Sequence, residues 1–425
     1  MRIFCSGIGG IGLSAYAAHM RARRHDVSGS DKSDSPLLGD LRLQGIQVSL
    51  DQDGSHLPGD LDLFVYSEAI PENASERTAA KKRGVRQISY FRALGELTQG
   101  SDLIAVCGTH GKSSTTGMAV SMLLDAGLDP SVVVGTKLPS LQGRNWHKGT
   151  GNLWIVEACE YRRSFLHLQP KIILLTNADG DHFDWFKDAD DYRRAFVEFV
   201  SSLPQNGVVI AQGSDVESRT IVAQAKRTFL DADGCVLPEL SVPGLHMRHN
   251  AQLVFALARH MKIAPDVALR SLKNYAGSWR RMEVKGTAED GVTVIDDYAH
   301  HPAEIRATLQ AMREAYPKRR IVAVFQPHTH DRTLKLWKEF SEAFRDADVV
   351  VLSSVYDARP DRDHASVDEQ AFCEAIRKGS GTPTEIGGSL HATETLLRSD
   401  ILQPDDVLVV MGAGDSTKLA EAMMQ

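Results

Sequence analysis

The stretch of sequence that decides the fold of the central part of the chain is residues 104–116, which read IAVCGTHGKSSTT. A short apolar run ends in a glycine turn, and a lysine and two hydroxyl residues then open a predicted helix. Gly108 and Gly111 carry no side chains, so the backbone N–H groups around them can surround phosphate oxygens. The start of the following helix directs its positive dipole end at the same place. The stretch therefore predicts a site for a nucleoside triphosphate.

The residues that follow the turn supply charge and a metal-binding hydroxyl group. Lys112 would neutralise the outer phosphates, and Ser113 or Ser114 would place a hydroxyl group on Mg²⁺. The generic P-loop has four residues between its glycines, whereas this loop has only Thr109 and His110. The predicted strand before the loop and the predicted helix after it are the context that the motif requires.

Composition and charge are those of an ordinary globular protein, with 42% hydrophobic and 24% charged residues. At about 100–200 residues per domain, the 425 residues predict more than one domain. The net charge of −7 argues against a dedicated nucleic-acid binder, and no apolar run approaches the roughly 18 residues of a membrane span. Five cysteines, scattered and never spaced as CxxC, indicate reduced thiols. We expect a cytoplasmic protein with neither a nucleic-acid nor a membrane partner.

Short β-rich runs alternate with amphipathic segments of helix length, which predicts an α/β fold with parallel sheets. We expect a Rossmann-like N-terminal domain at residues 1–99, a central P-loop ATPase domain at 100–276 and a Rossmann-like C-terminal domain at 277–425. The predicted strands are Arg2–Ser6, Asp26–Ser30, Leu63–Tyr66, Leu103–Cys107, Leu153–Glu157, Ile172–Thr176, Gly207–Ala211, Thr293–Asp296, Ile321–Phe325, Val349–Ser353 and Asp406–Met411. Helices are predicted at residues 89–98 and from about 251 to 261.

A second glycine motif, GIGGIG at residues 7–12, follows the first predicted strand and opens a helix. This GxGxxG spacing allows a tight turn, a close approach to a pyrophosphate and close packing of helix on strand. Asp31 ends the second predicted strand, where such folds place an acid that binds ribose. The motif by itself leaves three interpretations open: a site for NAD, a site for another nucleoside diphosphate, or a purely structural turn.

Acidic and histidine residues follow two strands of the central part. Glu157 ends one β-run, and the run NADGDHFD at residues 177–184, which contains His182, follows another. Ligands bind beyond the carboxyl ends of strands in open α/β sheets. Oxygen and imidazole groups at that edge predict a site for Mg²⁺ or Mn²⁺.

Further polar patches follow strands or precede helices in the last third of the chain. His246 and Asn250 lie in a patch that would either contact a nucleotide base or cap a helix. The guanidinium group of Arg281 would either stabilise a transferring phosphoryl group or form a surface ion pair. Two further runs, DDYAHHP at 296–302 and QPHTHDR at 326–332, follow the carboxyl ends of predicted strands. Their histidines would either take part in function or only cap helices and pack against neighbours.

Together and in this order, these motifs resemble those of the Mur ligase family, the ATP-dependent amide-forming enzymes of peptidoglycan precursor synthesis. The resemblance covers essentially the whole chain and rests on GIGGIG, GTHGKSS, Glu157, Asn177 with Asp181 and His182, Gly244 with His246 and Asn250, Arg281, and Asp297 with the Tyr-Ala-His that follows it. His110 and the runs at 296–302 and 325–328 are similar to the alanine-adding branch. Other branches carry a carbamylated lysine where this chain has Phe196, and the alanine-adding branch lacks it too.

The resemblance implies that ATP drives ligation of L-alanine to the carboxylate of UDP-N-acetylmuramate through an acyl phosphate, with Mg²⁺ or Mn²⁺. It implies catalytic roles for Lys112, Glu157, His182 and Arg281, of which Glu157 and His182 would bind metal together with Ser113. The implied ATP contacts are Gly108, Thr109, His110, Gly111, Lys112, Ser113, Ser114, His246, Asn250, Arg281 and Asp297. The implied sugar-nucleotide contacts are Gly7, Gly9, Gly10, Gly12, Asp31 and Ser67, and those for the amino acid are His300, His328 and Arg332.

Three residues depart from the family pattern. Cys159 replaces an aspartate in the acidic run, Met247 replaces the asparagine after the Gly-x-His motif, and Thr329 replaces the arginine after Gln-Pro-His. One alternative is a recycling ligase that attaches the tripeptide L-alanyl-γ-D-glutamyl-meso-diaminopimelate to the same sugar nucleotide. The others are an NAD-dependent oxidoreductase and a catalytically weak relative that binds UDP-sugars. We expect a monomer or a weak homodimer.

Overall fold

The computed structural model of the protein describes residues 1–181, 185–357 and 365–425. The chain forms two compact units, the first made of residues 1–239 and 249–275 and the second of residues 240–248 and 276–425. Within the described residues the first unit contains two mainly parallel sheets and the second contains one. The α/β fold predicted from the alternating pattern is therefore confirmed, while the three domain boundaries stay predictions.

The N-terminal sheet is parallel throughout and has the strand order β3-β2-β1-β4-β5. Its strands are β1 (Arg2–Ser6), β2 (Asp26–Ser30), β3 (Gln47–Ser49), β4 (Leu63–Tyr66) and β5 (Arg86–Ser89). Its helices are α1 (Ile11–Ala22), α2 (Pro36–Leu43), α3 (Ser75–Lys82) and α4 (Tyr90–Leu97). The strand order reverses direction between β1 and β4, so the GIGGIG loop after β1 lies at the switch point where such sheets bind ligands.

The central sheet has the order β12-β11-β10-β6-β9-β7-β8, in which only the edge strand β8 is antiparallel to its neighbour among the described strands. Its strands are β6 (Asp102–Cys107), β7 (Ser131–Leu138), β8 (Arg144–His147), β9 (Leu153–Glu157), β10 (Ile172–Leu175), β11 (Val208–Ala211) and β12 (Thr228–Asp231). The helices are α5 (Lys112–Asp125), α6 (Ala189–Ser201), α7 (Val216–Ala225), α8 (Leu245–His260) and α9 (Pro265–Lys273). The strand β6, which leads into the GTHGKSS loop, is buried between β10 and β9.

The two sheets of the first unit share one hydrophobic core. The ring of His19 on α1 lies 6.1 Å from the ring of Trp146 and 4.7 Å from that of Trp154. Burial lowers the pKa of His19 to about 3, so the ring is neutral at physiological pH. The amide of Asn145 donates to the Ile11 carbonyl at 2.6 Å, at the first residue of α1. The glycine loop before α1 is therefore tied to the central sheet by packing and by a hydrogen bond.

The C-terminal sheet has the order β13-β14-β18-β15-β16-β17, and among the described strands only β13 is antiparallel to its neighbour. Its strands are β13 (Glu283–Thr287), β14 (Thr293–Asp297), β15 (Ile321–Phe325), β16 (Val349–Ser353), β17 (Thr384–Gly388) and β18 (Val407–Met411). The helices are α10 (Pro302–Ala315), α11 (His330–Lys335), α12 (Trp337–Ser341), α13 (Glu369–Ser380), α14 (Leu390–Leu396) and α15 (Thr417–Ala422). Within the described ranges, no helix combines the length and the apolar character needed to cross a membrane.

The predicted helix at about 251–261 begins six residues earlier than expected, since α8 runs from Leu245 to His260. Gly244 adopts a φ of +100°, a conformation that favours glycine, and the helix starts directly after it. His246 and Asn250 therefore lie within α8, whereas the sequence placed them before the helix.

Candidate active site

The loop between β6 and α5 depends on the missing side chains of its two glycines. Gly108 has a φ of +141°, and a Cβ atom there would overlap the Thr176 hydroxyl and lie 2.8 Å from the Asn177 carbonyl oxygen. Gly111 has a φ of +82°, and its Cβ atom would lie 2.7 Å from the Asn250 amide oxygen. The loop thus lies close against the end of β10 and against α8, as the predicted strand–loop–helix motif requires.

Side chains beyond β10 hold this loop in place. Asn177 accepts a hydrogen bond from the His110 N–H at 3.0 Å, and its amide donates to the His110 carbonyl at 3.1 Å. The Thr176 hydroxyl donates to the same carbonyl at 2.6 Å. On the other side, the Thr109 hydroxyl lies 2.8 Å from the phenol oxygen of Tyr192, in a buried contact. The loop is therefore preorganised, and Thr176 and Tyr192 are supporting residues that motif reading did not identify.

Lys112, the first residue of α5, lies folded back over the loop. Its ammonium group donates to the carbonyls of Gly108 at 2.6 Å and Thr109 at 3.0 Å. It also contacts both carboxylate oxygens of the buried Glu160, at 3.2 and 3.0 Å. Burial by itself would lower the pKa of Lys112, but the attraction of Glu160 and its neighbour Glu157 outweighs burial and raises it. The lysine is thus fully charged at the place where phosphates are expected.

Glu157 ends β9 directly beside the start of α5. Its Oε2 atom accepts hydrogen bonds from the Ser113 hydroxyl at 2.9 Å and from the Gly135 N–H at 3.0 Å. A carboxylate and a hydroxyl oxygen in contact are the kind of donors that Mg²⁺ prefers. His182, the third predicted metal ligand, lies outside the described residues. In the described part of the chain, no cluster of three or more His, Cys, Asp or Glu side chains could hold a metal ion.

The position of Phe196, where other branches carry a lysine, belongs to the core of the central sheet. Phe196 lies on α6, fully buried, with its ring 5.1 Å from that of Tyr192 and 5.2 Å from that of Phe165. A charged side chain at this position would need a buried partner, which these aromatic neighbours do not supply. The structure is consistent with a site that works without that lysine.

The GIGGIG loop after β1 is held by the ends of β2 and β4. The N–H groups of Gly7 and Ile8 both donate to the Ser30 carbonyl, at 2.8 and 2.9 Å. A carboxylate oxygen of Asp31 accepts a hydrogen bond from the Gly9 N–H at 2.8 Å. Ser67 lies close to Gly7, since a Cβ atom added at Gly7 would be 2.9 Å from the Ser67 Cβ atom. Gly10 precedes α1 as its N-cap. The predicted sugar-nucleotide residues on this loop, together with Asp31 and Ser67, are thus brought together.

Two features of this region determine how closely its elements pack. A Cβ atom at Gly12 would lie 2.7 Å from the ring of Tyr90 on α4, so this position needs glycine. Glu76 on α3 is almost fully buried and accepts hydrogen bonds from the hydroxyl groups of Ser6 and Ser30, the last residues of β1 and β2. Burial raises the pKa of Glu76, an effect that the two serine hydroxyls oppose. Sequence reasoning missed Glu76, because no motif marks it.

In the second unit, Asp297 ends β14 and is buried. Its carboxylate accepts hydrogen bonds from the Met282 N–H at 2.6 Å and from the Ala299 N–H at 2.7 Å. Burial raises the pKa of Asp297 to about 6, although the charge of Arg281 and these hydrogen bonds act in the opposite direction. The guanidinium carbon of Arg281 lies 4.8 Å from the centre of the Tyr298 ring. Arg281 and Asp297 are thus neighbours.

The predicted amino-acid residues follow β14 and β15. The rings of His300 and His328 are 5.9 Å apart, and the Tyr356 ring stacks on His328 at 5.8 Å. Arg332 lies on the short helix α11, and the preceding Thr329 has a φ of +68°, an unusual backbone conformation for a β-branched residue. The structure therefore brings His300 and His328 together, and it adds Tyr356, which the sequence motifs did not single out.

His246 lies in the first turn of α8, in the second unit, where a Cβ atom at Gly244 would be 2.8 Å from its ring. The following Met247 is buried, with 1% of its surface exposed. The residue that stands in place of the family's asparagine is therefore buried and apolar. Asn250, in the first unit, contacts the P-loop at Gly111 as described above.

Comparison with known proteins gives matches along nearly the whole chain. The sequence matches the Mur ligase family, catalytic domain over residues 3–101, the Mur ligase middle domain over residues 106–232 and the Mur ligase, glutamate ligase domain over residues 280–414. It is 36% identical over 444 residues to a UDP-N-acetylmuramate–L-alanine ligase from Clostridium kluyveri, covering 98% of this chain and 96% of that one.

Two solved structures resemble the fold over its full length. The UDP-N-acetylmuramate-alanine ligase from Thermotoga maritima gives a TM-score of 0.84 at 27% identity, covering 100% of this chain and 98% of the other. A murein peptide ligase from Psychrobacter arcticus gives a lower TM-score of 0.74 at 22% identity, with the same coverage, and shows a likeness of fold alone. Three Mur ligase models match in order along most of the chain, and a relative that is 36% identical covers 98% of it, so the chain belongs to the Mur ligase family.

Proposed function

We propose that this protein joins L-alanine to the carboxylate of UDP-N-acetylmuramate while converting ATP into ADP and phosphate. The observation that carries the proposal is the 36% identity, over 98% of the chain, to a relative named for this ligation. The preformed loop at Gly108–Ser114, with a charged lysine folded onto it, supports the use of ATP and argues against the NAD-dependent oxidoreductase.

We assign ATP binding to the loop between β6 and α5 and to residues that follow it. The glycines leave room for phosphate oxygens next to backbone N–H groups, and Lys112 supplies a positive charge. The remaining residues in this assignment are Thr109, His110, Ser113, Ser114, His246, Asn250, Arg281 and Asp297. Arg281 would stabilise the charge of the transferring phosphoryl group, as guanidinium groups do in other phosphoryl-transfer enzymes.

We assign divalent-cation binding to Ser113 and Glu157, together with His182. The contact between the Ser113 hydroxyl and the Glu157 carboxylate supports this assignment, because both are oxygen donors at one place beside the phosphate loop. A bound Mg²⁺ or Mn²⁺ ion supplies positive charge that stabilises phosphoryl oxygens. The chain itself contributes the orientation of Glu157, which the Gly135 N–H fixes.

We assign the UDP-sugar to the loop at Gly7–Gly12 with Asp31 and Ser67. The backbone of this loop is held at the switch point of a parallel sheet, where nucleotides bind in related topologies. The hydrogen bond from the Gly9 N–H to Asp31 fixes the shape of the loop. The amino acid is assigned to His300, His328 and Arg332, whose positively charged or hydrogen-bonding groups suit a carboxylate.

The chemistry that we propose has two steps. A carboxylate oxygen of the sugar nucleotide attacks the γ-phosphorus, the bond to the β–γ bridging oxygen breaks, and ADP leaves. The uncharged amine of L-alanine then attacks the acyl phosphate carbon, and inorganic phosphate leaves as the amine loses a proton. Since a carboxylate is a poor acylating agent, phosphorylation supplies the leaving group, and Lys112 and Arg281 stabilise the charge that moves between oxygens.

An isotope experiment tests both the substrates and the route. UDP-N-acetylmuramate labelled with the heavy oxygen isotope in its carboxylate is incubated with ATP, Mg²⁺ and L-alanine, and the released phosphate is analysed by mass spectrometry. We expect one labelled oxygen in each phosphate and one L-alanine in each product molecule. Product formation with unlabelled phosphate would contradict the acyl phosphate, and the absence of the L-alanine adduct would contradict the ligation.

A further inference from the structure

Tyr90, the first residue of α4, lies against the start of α1. A Cβ atom at Gly12 would be 2.7 Å from the phenol oxygen of Tyr90 and from two carbons at the outer end of its ring. Gly12 is the last glycine of the GIGGIG loop, to which we assign the UDP-sugar. The hydroxyl end of Tyr90 is therefore next to that loop.

The helix that carries Tyr90 also packs against the central part of the same unit. A Cβ atom at Gly95 on α4 would overlap the carbonyl of His167, in the 3₁₀ helix Tyr161–His167 that follows β9. Burial and, to a smaller extent, the negative charge of Glu157 at the end of β9 raise the pKa of Tyr90. Tyr90 is thus close both to the GIGGIG loop and to the carboxylate that we assign to the divalent cation.

The ring of Tyr90 is held in place by packing. It contacts the core that the two sheets of the unit share, and its centre lies 4.8 Å from that of the Phe91 ring. Within residues 1–181, 185–357 and 365–425, no group forms a hydrogen bond with the Tyr90 hydroxyl. A phenol hydroxyl can both donate and accept a hydrogen bond, and the ring face is apolar. These two features suit a sugar, which has apolar C–H faces and polar substituents.

We infer that Tyr90 binds the N-acetylmuramoyl group of UDP-N-acetylmuramate, with its ring against the C–H groups of the sugar and its hydroxyl bonded to a polar substituent. This inference rests on the proposed function. In that substrate the sugar ring separates the pyrophosphate from the reacting carboxylate. Since we assign the pyrophosphate to the GIGGIG loop and the reaction to the phosphate and cation site, the sugar ring belongs where both are close. Tyr90 stands at that position.

The variant Tyr90→Phe removes the hydroxyl group and keeps the ring that packs on the core. We expect the Kd for UDP-N-acetylmuramate to rise about threefold to tenfold, a factor typical of one lost hydrogen bond. The Kd for UDP, which lacks the sugar, should stay unchanged. A residue that only supports the glycine loop would weaken the binding of both ligands by the same factor. The variant Tyr90→Leu, which also removes the flat ring, should raise the Kd for UDP-N-acetylmuramate further.

Binding is measured by calorimetry with each ligand in turn, in the absence of ATP and L-alanine. A second readout is steady-state kinetics, in which Tyr90→Phe should raise the KM for the sugar nucleotide and leave the KM for ATP unchanged. The matched control is Tyr16→Phe, the same chemical change on α1 at a tyrosine that is buried in the shared core with 3% of its surface exposed. This control should bind both ligands as the wild type does.

Two results would overturn the inference. One is an unchanged Kd for UDP-N-acetylmuramate in Tyr90→Phe, and the other is an equal change in the Kd values for UDP-N-acetylmuramate and UDP. Because calorimetry needs no ligation, a failure of the proposed function gives a different pattern. Binding of UDP-N-acetylmuramate that depends on the Tyr90 hydroxyl, combined with an absence of L-alanine product, would refute the proposed ligation and leave the role of Tyr90 intact.

Discussion

The phosphate loop leaves no room for a methyl group at Gly108, and Gly108→Ala is the perturbation that tests its geometry. The φ of +141° at this position is a strained conformation for alanine, and the added Cβ atom would overlap the Thr176 hydroxyl. That hydroxyl holds the His110 carbonyl at 2.6 Å, so it cannot move without losing a hydrogen bond. Strain of this kind and overpacking each cost about 1–3 kcal/mol, which predicts a loss of about 2–6 kcal/mol in the free energy of unfolding.

Two further variants divide this loss into its parts. Gly127 also has a positive φ, of +74°, but a Cβ atom there would meet no atom within 4 Å, so Gly127→Ala is the control for an alanine at positive φ without an overlap. The double variant Gly108→Ala with Thr176→Ala removes the overlapping hydroxyl and should recover part of the stability relative to the sum of the single variants.

The assay is urea unfolding followed by tryptophan fluorescence, to which the buried Trp154 of the same unit contributes. The KM for ATP, measured under native conditions, should rise in Gly108→Ala because the loop is displaced. The reasoning would be refuted if Gly108→Ala were as stable as Gly127→Ala, or if removing the Thr176 hydroxyl gave no recovery.

Three other predictions concern charged side chains. Lys112→Ala should lower kcat/KM for ATP about 10²–10³-fold, because it removes a charge that stabilises the transferring phosphoryl group. The control variant Lys148→Ala, which changes an exposed lysine, should leave kcat/KM unchanged. Near wild-type turnover in Lys112→Ala would contradict a role of this lysine in the reaction. Glu157→Gln should raise the Mg²⁺ concentration for half-maximal rate about tenfold or more, and an unchanged metal titration would exclude Glu157 as a ligand. Burial raises the pKa of Asp297 from 3.8 to about 6, so the folded state favours the neutral form of this carboxyl group. The stability that Asp297 contributes is therefore present below pH 4 and lost as the pH rises through 6. The unfolding free energy of the wild type relative to Asp297→Asn should therefore fall by about 3 kcal/mol between pH 4 and pH 7, as measured by urea unfolding, and a pH-independent difference would contradict it.

The sequence predicted most of the strands that are both apolar and central, although it missed β7, which is largely buried and lies between β9 and β8. The runs at β1, β6, β10 and β15 are fully or almost fully buried, so hydrophobic pattern alone identifies them. The strands that it did not predict lie mostly at sheet edges, such as β3, β12 and β13, whose residues are half-exposed. Edge strands are stabilised by one neighbour in the sheet, and that partner is not visible in the local pattern.

The site shows the same division between local and distant information. Gly108 and Lys112 belong to one continuous motif, so residue spacing was enough to identify them. Glu160 and Tyr192 reach that loop from separate elements, and Glu76 reaches the other glycine loop from α3. Their roles depend on how β-strand ends meet in three dimensions, which a single sequence does not specify. The early start of α8 followed from the conformation of Gly244, which the apolar pattern does not record.

Release of phosphate from ATP in the presence of Mg²⁺ and UDP-N-acetylmuramate tests the central claim most directly, with L-alanine or the tripeptide L-alanyl-γ-D-glutamyl-meso-diaminopimelate supplied in parallel. The account predicts phosphate release that depends on L-alanine and on the sugar nucleotide, with little release when the tripeptide replaces L-alanine. Release with the tripeptide alone would contradict it and would identify a recycling ligase. Release with neither acceptor would mean that a protein with this loop geometry does not carry out the ligation.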